Sequence, residues 1–243
     1  RALLALLFLA TPAHAGPWPR AQGEAYVFVG HEGGRDGWTG LYAEHGLPYD
    51  LTFGLDAGGN LMRTATDPGE RRVRAFLRMP VLTKMERPGW LAPWLFAVEA
   101  GIGHDEPETG EGTVRYSLGT SVGRGLQTRW GDGWTTFDLR VAYGSDAPLR
   151  IEAQAVAGLK PTPRWTVEMG LFAEQEIDMT TPVMDDPEIT FAPTVQYGLG
   201  RWGDLRLGIA IVLGATAGFV LAEAFELYRS PLMIHWLDAS PLC

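Results

Sequence analysis

Cysteine is almost absent from this sequence, and basic residues are in the minority. The 243 residues include a single cysteine, Cys243, which excludes a disulfide framework and a metal site built from cysteines. The 20 Lys and Arg are outnumbered by 29 Asp and Glu, which gives a net charge of -9. Because a nucleic-acid-binding surface needs clustered Lys and Arg, we expect no nucleic acid among the partners.

Long apolar runs and helical periodicity are also missing from most of the chain. No segment after residue 15 reaches the roughly 20 consecutive apolar residues of a membrane-spanning helix. Glycine is abundant instead, with 31 residues, and Gly, Pro, Asp and Asn interrupt the chain at short intervals. This punctuation is typical of strands and turns, so the sequence predicts an all-β protein.

One apolar run stands at the start of the sequence. "RALLALLFLATPAHA" (1–15) combines a basic residue, an apolar stretch and the small-x-small motif "AHA". This combination predicts a secretory signal peptide that is cleaved after Ala15. A buried N-terminal helix is the alternative, but the run is short and the Pro-rich "GPWPRAQG" follows it. The predicted organisation is therefore a signal peptide (1–15), one β-domain (16–227) and a C-terminal tail (228–243).

Twelve alternating segments follow one another along the predicted domain. Most have about nine to eleven residues, the length that a tilted strand needs to cross a bilayer. No linker and no helix-period segment separates them, so we expect a single up-and-down antiparallel β-barrel. The segments are 24–31, 38–45, 49–57, 71–81, 94–103, 113–123, 134–144, 149–159, 165–176, 188–199, 205–213 and 219–227.

Most segments have one apolar face and one face that carries the charges. In "RWTVEMGLFAEQEI" the apolar Val167, Met169 and Leu171 alternate with Glu168 and Gly170. A soluble β-sandwich would bury such an apolar face. A transmembrane barrel instead turns it to lipid and keeps the polar side chains inside.

The tryptophans favour the membrane barrel. When the connections are assigned alternately to two ends, most tryptophans fall at one end, where a membrane–water interface would select them. The predicted interface girdle is Trp94, Trp130, Trp134, Trp165 and Trp202. The connections at the other end include two acidic loops, at 104–112 and 176–187.

Strand-turn units such as "YSLGTSVGRGLQTRWGDGWTTFDLRVAYG", "LKPTPRWTVEMGLFAEQE" and "ITFAPTVQYGLGRWGDLRLGIAI" recur along the body. In composition and turn chemistry they resemble small bacterial outer-membrane β-barrel proteins of the porin- or transporter-like type. The resemblance implies the outer membrane of a Gram-negative cell envelope as the location. It implies outer-membrane lipids, lipopolysaccharide and the barrel-assembly machinery as partners, and it carries over no catalytic or ligand residue.

If the apolar face meets lipid, the charged face lines the interior. The predicted lining residues are Arg72, Arg74, Arg78, Glu99, Arg115, Asp138, Arg140, Arg150, Glu152, Glu168, Glu174 and Arg206. A wet or charge-compensated interior tolerates this mixture of signs. The first hypothesis is therefore a passive or gated channel for small solutes, with selectivity set by the lining. We expect no cofactor. The acidic loops could bind divalent cations, but no calcium-loop spacing occurs, so we expect a solvated acidic surface and no metal site.

Two other functions stay open. The same charges fit a salt-bridge network that fills a narrow barrel. The protein would then be a non-conducting structural or surface-interaction barrel, with the acidic loops as contact sites. The third hypothesis is an outer-membrane lipid hydrolase with Ser117 or Ser121 as nucleophile. No His-x-Ser pair occurs on a predicted strand, so we predict that the protein is not an enzyme.

Overall fold

The structure, a computed structural model, describes residues 16–31, 38–60, 69–81, 93–107, 111–145, 147–178, 188–200, 204–209 and 211–213. The predicted signal peptide, the predicted twelfth strand and the predicted tail lie outside these residues. The described elements are strands and one 3-10 turn. Over the same residues, no helix has the length and apolar character needed to cross a membrane.

The strands lie side by side in one antiparallel sheet, in the order in which they follow one another along the chain. They are β1 (Ala25–His31), β2 (Thr39–Gly46), β3 (Thr52–Gly59), β4 (Arg71–Val81), β5 (Trp94–Glu106), β6 (Thr113–Thr128), β7 (Gly131–Gly144), β8 (Ala147–Lys160), β9 (Trp165–Ile177), β10 (Glu188–Gly198), β11 (Asp204–Gly208) and β12 (Ile211–Leu213). The predicted all-β, up-and-down antiparallel architecture is therefore confirmed. Strands are connected alternately at two ends. We call the end where β5 leads into β6 the loop end, and the end where β6 turns into β7 the turn end.

β11 and β12 are two parts of one strand that is interrupted opposite Pro193. Both pair with β10 in the same register, with Thr194 opposite Gly208 just before the break. The Ile209 N–H donates to the carbonyl oxygen of Pro193 at 3.2 Å. The return bond of the ladder is missing because proline has no N–H to donate.

The predicted start of the third strand was wrong. The segment 49–57 was expected to be extended from its first residue, but Pro48–Asp50 forms a 3-10 turn in which Tyr49 and Asp50 have φ of 65° and 61°. β3 therefore begins only at Thr52. Alternation alone cannot reveal this turn, because Tyr49 and Asp50 continue the apolar and polar pattern of the strand.

The two faces of the sheet carry different side chains. On the outer face apolar side chains are exposed, among them Leu118 (71% exposed), Val167 and Leu207. The inner face buries charged and polar side chains, among them Glu44 and Arg78. Soluble domains show the opposite preference, because burial of apolar surface drives their folding.

The sheet curls so that its inner face is concave. Arg72 on β4 lies 3.7 Å from Glu152 on β8 and 3.9 Å from Glu174 on β9. Strands four places apart would be separated by roughly 19 Å in a flat sheet, which these side chains cannot bridge. Among the described residues β1 pairs only with β2, so the curled sheet is a half-barrel.

Part of the inner face is aromatic. Phe28, Tyr42 and Phe76 form a buried cluster against which Tyr26 packs. The rings of Tyr42 and Phe76 are stacked, with their centroids 6.0 Å apart. Phe76 also covers Gly54 of the neighbouring strand, so the missing side chain of the glycine makes room for the ring.

Replacing Gly54 with alanine is expected to destabilise the sheet. A Cβ at Gly54 would lie 2.0 Å from Cζ of Phe76, whose ring is held against the guanidinium groups of Arg74 and Arg78. We expect Gly54→Ala to lower the free energy of unfolding in urea by about 1–3 kcal/mol, as overpacking does. The control is Gly119→Ala on the same face, where the new Cβ would meet no atom closer than 3.4 Å. Equal losses in the two variants would contradict the described packing.

Candidate functional site

Three clusters of ion pairs occupy the inner face. The Glu44 cluster contains Arg20, Glu44, Arg74, Arg78 and Glu99. The Asp105 cluster contains Arg72, Asp105, Arg115, Arg140, Arg150, Glu152, Glu174 and Glu176. The Glu168 cluster contains Glu168, Thr194, Gln196 and Arg206. Opposite charges and hydrogen bonds offset the desolvation that burial imposes on each ion.

Glu44 is the centre of the first cluster, and its side chain is 0% exposed. Its Oε1 accepts hydrogen bonds from Arg78 Nη1 at 2.7 Å and from the Tyr42 hydroxyl at 2.6 Å. Its Oε2 accepts one from Arg20 Nε at 2.6 Å. The carboxylate is therefore held by two cations, of which Arg20 comes from outside the sheet.

Arg78 links Glu44 to the next carboxylate along the inner face. Its Nη2 lies 3.1 Å from Oε2 of Glu99, and Arg74 pairs with the other oxygen of Glu99. Arg78 Nη1 also donates to the carbonyl oxygen of Gly16 at 3.1 Å. Cations and anions thus alternate across β2, β4 and β5.

The Asp105 cluster joins strands that are not neighbours, close to the loop end. Asp105 on β5 lies 2.9 Å from Arg115 on β6 and 2.7 Å from Arg150 on β8. Glu176 on β9 lies 2.9 Å from Arg150 and 3.4 Å from Arg115. These side chains extend over the concave face and hold it in its curled form.

The Glu168 cluster lies near the turn end and bridges β9 to β11 across β10. Arg206 lies 2.8 Å from Glu168 and donates to Gln196 at 3.1 Å. The Thr194 hydroxyl donates to Glu168 at 3.3 Å. All four side chains lie on the inner face.

The N-terminal segment (residues 16–22) crosses the inner face near the turn end. The backbone N–H of Arg20 donates to Thr52 Oγ1 on β3 at 3.1 Å. Pro17 is fully buried and lies against β6, where a Cβ added to Gly123 would come within 2.8 Å of it. Gly16 lies against β7. The segment therefore extends over the concave face from β3 to β7.

Two glycines allow the N-terminal segment to turn back over the sheet. Gly23 has φ of +82°, a conformation that side chains disfavour, in a turn closed by a 2.9 Å bond from the Glu24 N–H to the Ala21 carbonyl. A Cβ on Gly46 would lie 1.9 Å from that same carbonyl oxygen. The "GPWPRAQG" stretch is therefore packed against the sheet and does not act as a spacer.

The structure places all twelve predicted lining residues on the inner face. Eleven belong to the three clusters, and the twelfth, Asp138, accepts a hydrogen bond from Gln154 at 2.9 Å. Their role in lining a passage remains a prediction. The sequence did not indicate Arg20, because the Pro-rich segment has no alternation. Asp105 was assigned to a loop, although counting in steps of two from Glu99 leads to it.

The predicted tryptophan girdle is only partly at the outer rim. Trp94, Trp130 and Trp165 lie near the turn end, with exposed or partly exposed side chains. The prediction for Trp134 was wrong: its side chain is 4% exposed and covers Gly158 on the inner face. The reason is its position in β7, an even number of residues from the inward-facing Asp138. Trp202 lies outside the described residues.

The chemistry of the inner face is that of ion pairing. Ser117 and Ser121 are buried there, and Ser121 contacts Asp138. Over the described ranges, no three side chains of His, Cys, Asp or Glu converge to hold a metal ion. Arginines and carboxylates can exchange their present partners for charged groups of a solute.

Comparison with known proteins gives no match that would indicate a function. The chain matches no family model, no curated protein and no solved structure. A function for this chain is therefore inferred from its fold and from the placement of its charges.

Removing Arg78 is expected to destabilise the fold strongly. Arg78→Ala would leave Glu44 and Glu99 buried with too little positive charge, which typically costs about 3–5 kcal/mol of unfolding free energy. The control is Arg71→Ala on the same strand, whose 4.0 Å pair with Glu106 is exposed and should contribute about 0–1 kcal/mol. Urea unfolding of both variants measures the difference. Similar losses would show that the Glu44 cluster is not a coupled network.

Proposed function

We propose that this chain forms a β-barrel in the outer membrane of a Gram-negative cell and that its interior gives gated passage to small solutes. The observation that carries the proposal is the inverted placement of side chains. Leu118, Val167 and Leu207 project outward, whereas Glu44 and Arg78 are buried inside. An apolar band of this extent is unfavourable in water and matches the hydrocarbon of a bilayer.

Strand length and the approach of the sheet edges support a closed barrel. The strands β5 to β9 have 13 to 16 residues, more than the roughly ten that a tilted strand needs to cross a membrane. Tyr26 on β1 lies within electrostatic range of Arg206 on β11. The predicted strand 219–227 would follow β12 and pair with β1, which removes both exposed edges. The predicted signal peptide 1–15 would direct the chain out of the cytoplasm.

The lining charges would set the selectivity of the passage. Solutes would meet Arg72, Arg74, Arg78, Arg115, Arg140, Glu152 and Glu168, which present both signs of charge. The Asp105 cluster narrows the interior near the loop end, and the N-terminal segment crosses it near the turn end. Passage therefore requires the N-terminal segment to move, and this requirement makes the channel gated.

A non-conducting structural barrel is the second candidate. The ion pairs that join β4 to β8 and to β9 favour it, because side chains that meet across the interior fill the space a solute would use. In that case the protein would act through its surface, with the acidic loops as contact sites for ions, lipopolysaccharide or partner proteins.

A charge placed on the outer face distinguishes lipid from water. We expect Leu118→Arg, in the middle of β6, to lower the free energy of unfolding in lipid vesicles by about 2–4 kcal/mol. The control is Val114→Arg on the same face near the loop end, where an interface would reduce the loss to about 0–1 kcal/mol. Urea titration of the refolded vesicle-bound variants gives both values. Equal, small effects would indicate that the outer face meets water.

Two substitutions that each remove one negative charge test passage through the interior. Refolded protein in a planar bilayer should conduct in discrete steps, with a reversal potential across a salt gradient. Glu174→Gln, on the inner face, should shift this potential toward anion preference because it removes a lining anion. Glu106→Gln, on the outer face, should leave it unchanged.

Two results would count against passage. A folded barrel that stays electrically silent would support the non-conducting candidate. Equal shifts for the inner and the outer variant would show that the conducted ions do not pass along the inner face.

A further inference from the structure

One of the three cations of the Glu44 cluster is supplied by the chain's own N-terminal segment. Arg20 is 7% exposed, and its Nε donates to Glu44 Oε2, which has no other donor among the described residues. The guanidinium carbon of Arg20 lies 4.9 Å from the centroid of the Tyr26 ring. A buried carboxylate beside an aromatic face is the environment that binds a planar guanidinium group.

The charges around Arg20 leave a deficit of positive charge without it. Arg20, Arg74 and Arg78 are paired with four carboxylates, those of Glu24, Glu44, Asp56 and Glu99. Removing Arg20 would leave the buried carboxylate of Glu44 with a single arginine, Arg78, which it shares with Glu99. Glu44 therefore requires a second cation, whichever molecule supplies it.

One donor group of Arg20 has no partner among the described residues. Its Nε and Nη1 face Glu44 and Glu24, at 2.6 Å and 3.7 Å, but its buried Nη2 has no hydrogen-bond partner among the described residues. A free guanidinium compound is not bound to the backbone and can rotate to place its donors. Competition with Arg20 is therefore chemically reasonable.

We propose that the interior contains a binding site for guanidinium compounds, formed by Glu44, Tyr26 and Tyr42, which the chain fills with its own Arg20. The N-terminal segment is then a tethered ligand that crosses the turn end while the site is occupied from within. Small solutes that carry a guanidinium group are the ligand class, and their binding would release the segment. This inference rests on the proposed passage of solutes and names their chemistry.

Cavity rescue tests the site directly. Arg20→Ala removes the atoms of an ethylguanidinium ion, so ethylguanidinium should refill the site. At roughly 20 mM, far below denaturing concentrations of guanidinium, it should raise the Tm of refolded Arg20→Ala by roughly 5 °C. N-Ethylurea, which has the shape without the charge, and ethylammonium, which has the charge without the planar fork, should not. The unchanged protein should respond less, because its own Arg20 competes for the site. Arg129→Ala, a variant in the β6–β7 turn, should respond no more than the unchanged protein.

If Arg20→Ala does not refold unaided, the same compounds are compared by the yield of folded protein. Folded protein is recognised by its heat-modifiable mobility on electrophoresis. Equal effects of ethylguanidinium and N-ethylurea, or no effect of either, would overturn the site. The result is independent of conduction. A barrel that does not conduct but shows rescue would support the binding site and contradict passage. A conducting barrel without rescue would support passage and contradict the binding site.

Discussion

A charged side chain that leaves water must meet an opposite charge, and this requirement organises the inner face of the protein. The side chain of Glu44 has no exposed surface, and it is held by Arg78 from the sheet and by Arg20 from the N-terminal segment. Asp105 is shared by Arg115 and Arg150 from strands on either side of β7. Because such pairs form only when distant strands approach, charge compensation and the curl of the sheet depend on each other.

The same charges serve stability and the proposed passage, and the two roles compete. A pair that crosses the concave face holds the sheet closed, yet it also occupies the space through which a solute would move. Buried pairs are not necessarily stabilising relative to apolar packing, so a solely structural interior would have little need of so many ions. The N-terminal segment is attached to the sheet by the hydrogen bonds of Arg20 and by the packing of Pro17, and the proposed passage would require both to break.

Individual residues show what the alternation of the sequence predicts correctly and what it misses. The alternation in "RWTVEMGLFAEQEI" placed Glu168 and Val167 on opposite faces, and the structure agrees. Trp134 was misplaced because its residue type, typical of interfaces, was given more weight than its position in the alternation. Pro193 lies on β10, but the interruption that it causes appears on the neighbouring strand, between β11 and β12, where the carbonyl of Ile209 loses its donor.

The sequence by itself determined the strands, their order and the division of side chains between two faces, since a strand alternates its side chains with a period of two along the backbone. Only the tertiary structure decided which charges meet. Arg72 and Glu152 are 80 positions apart in the sequence, and their contact depends on the curl of the whole sheet. The same holds for Arg20: nothing in "GPWPRAQG" indicates a buried cation, because its partner Glu44 is reached only after the chain turns back at Gly23.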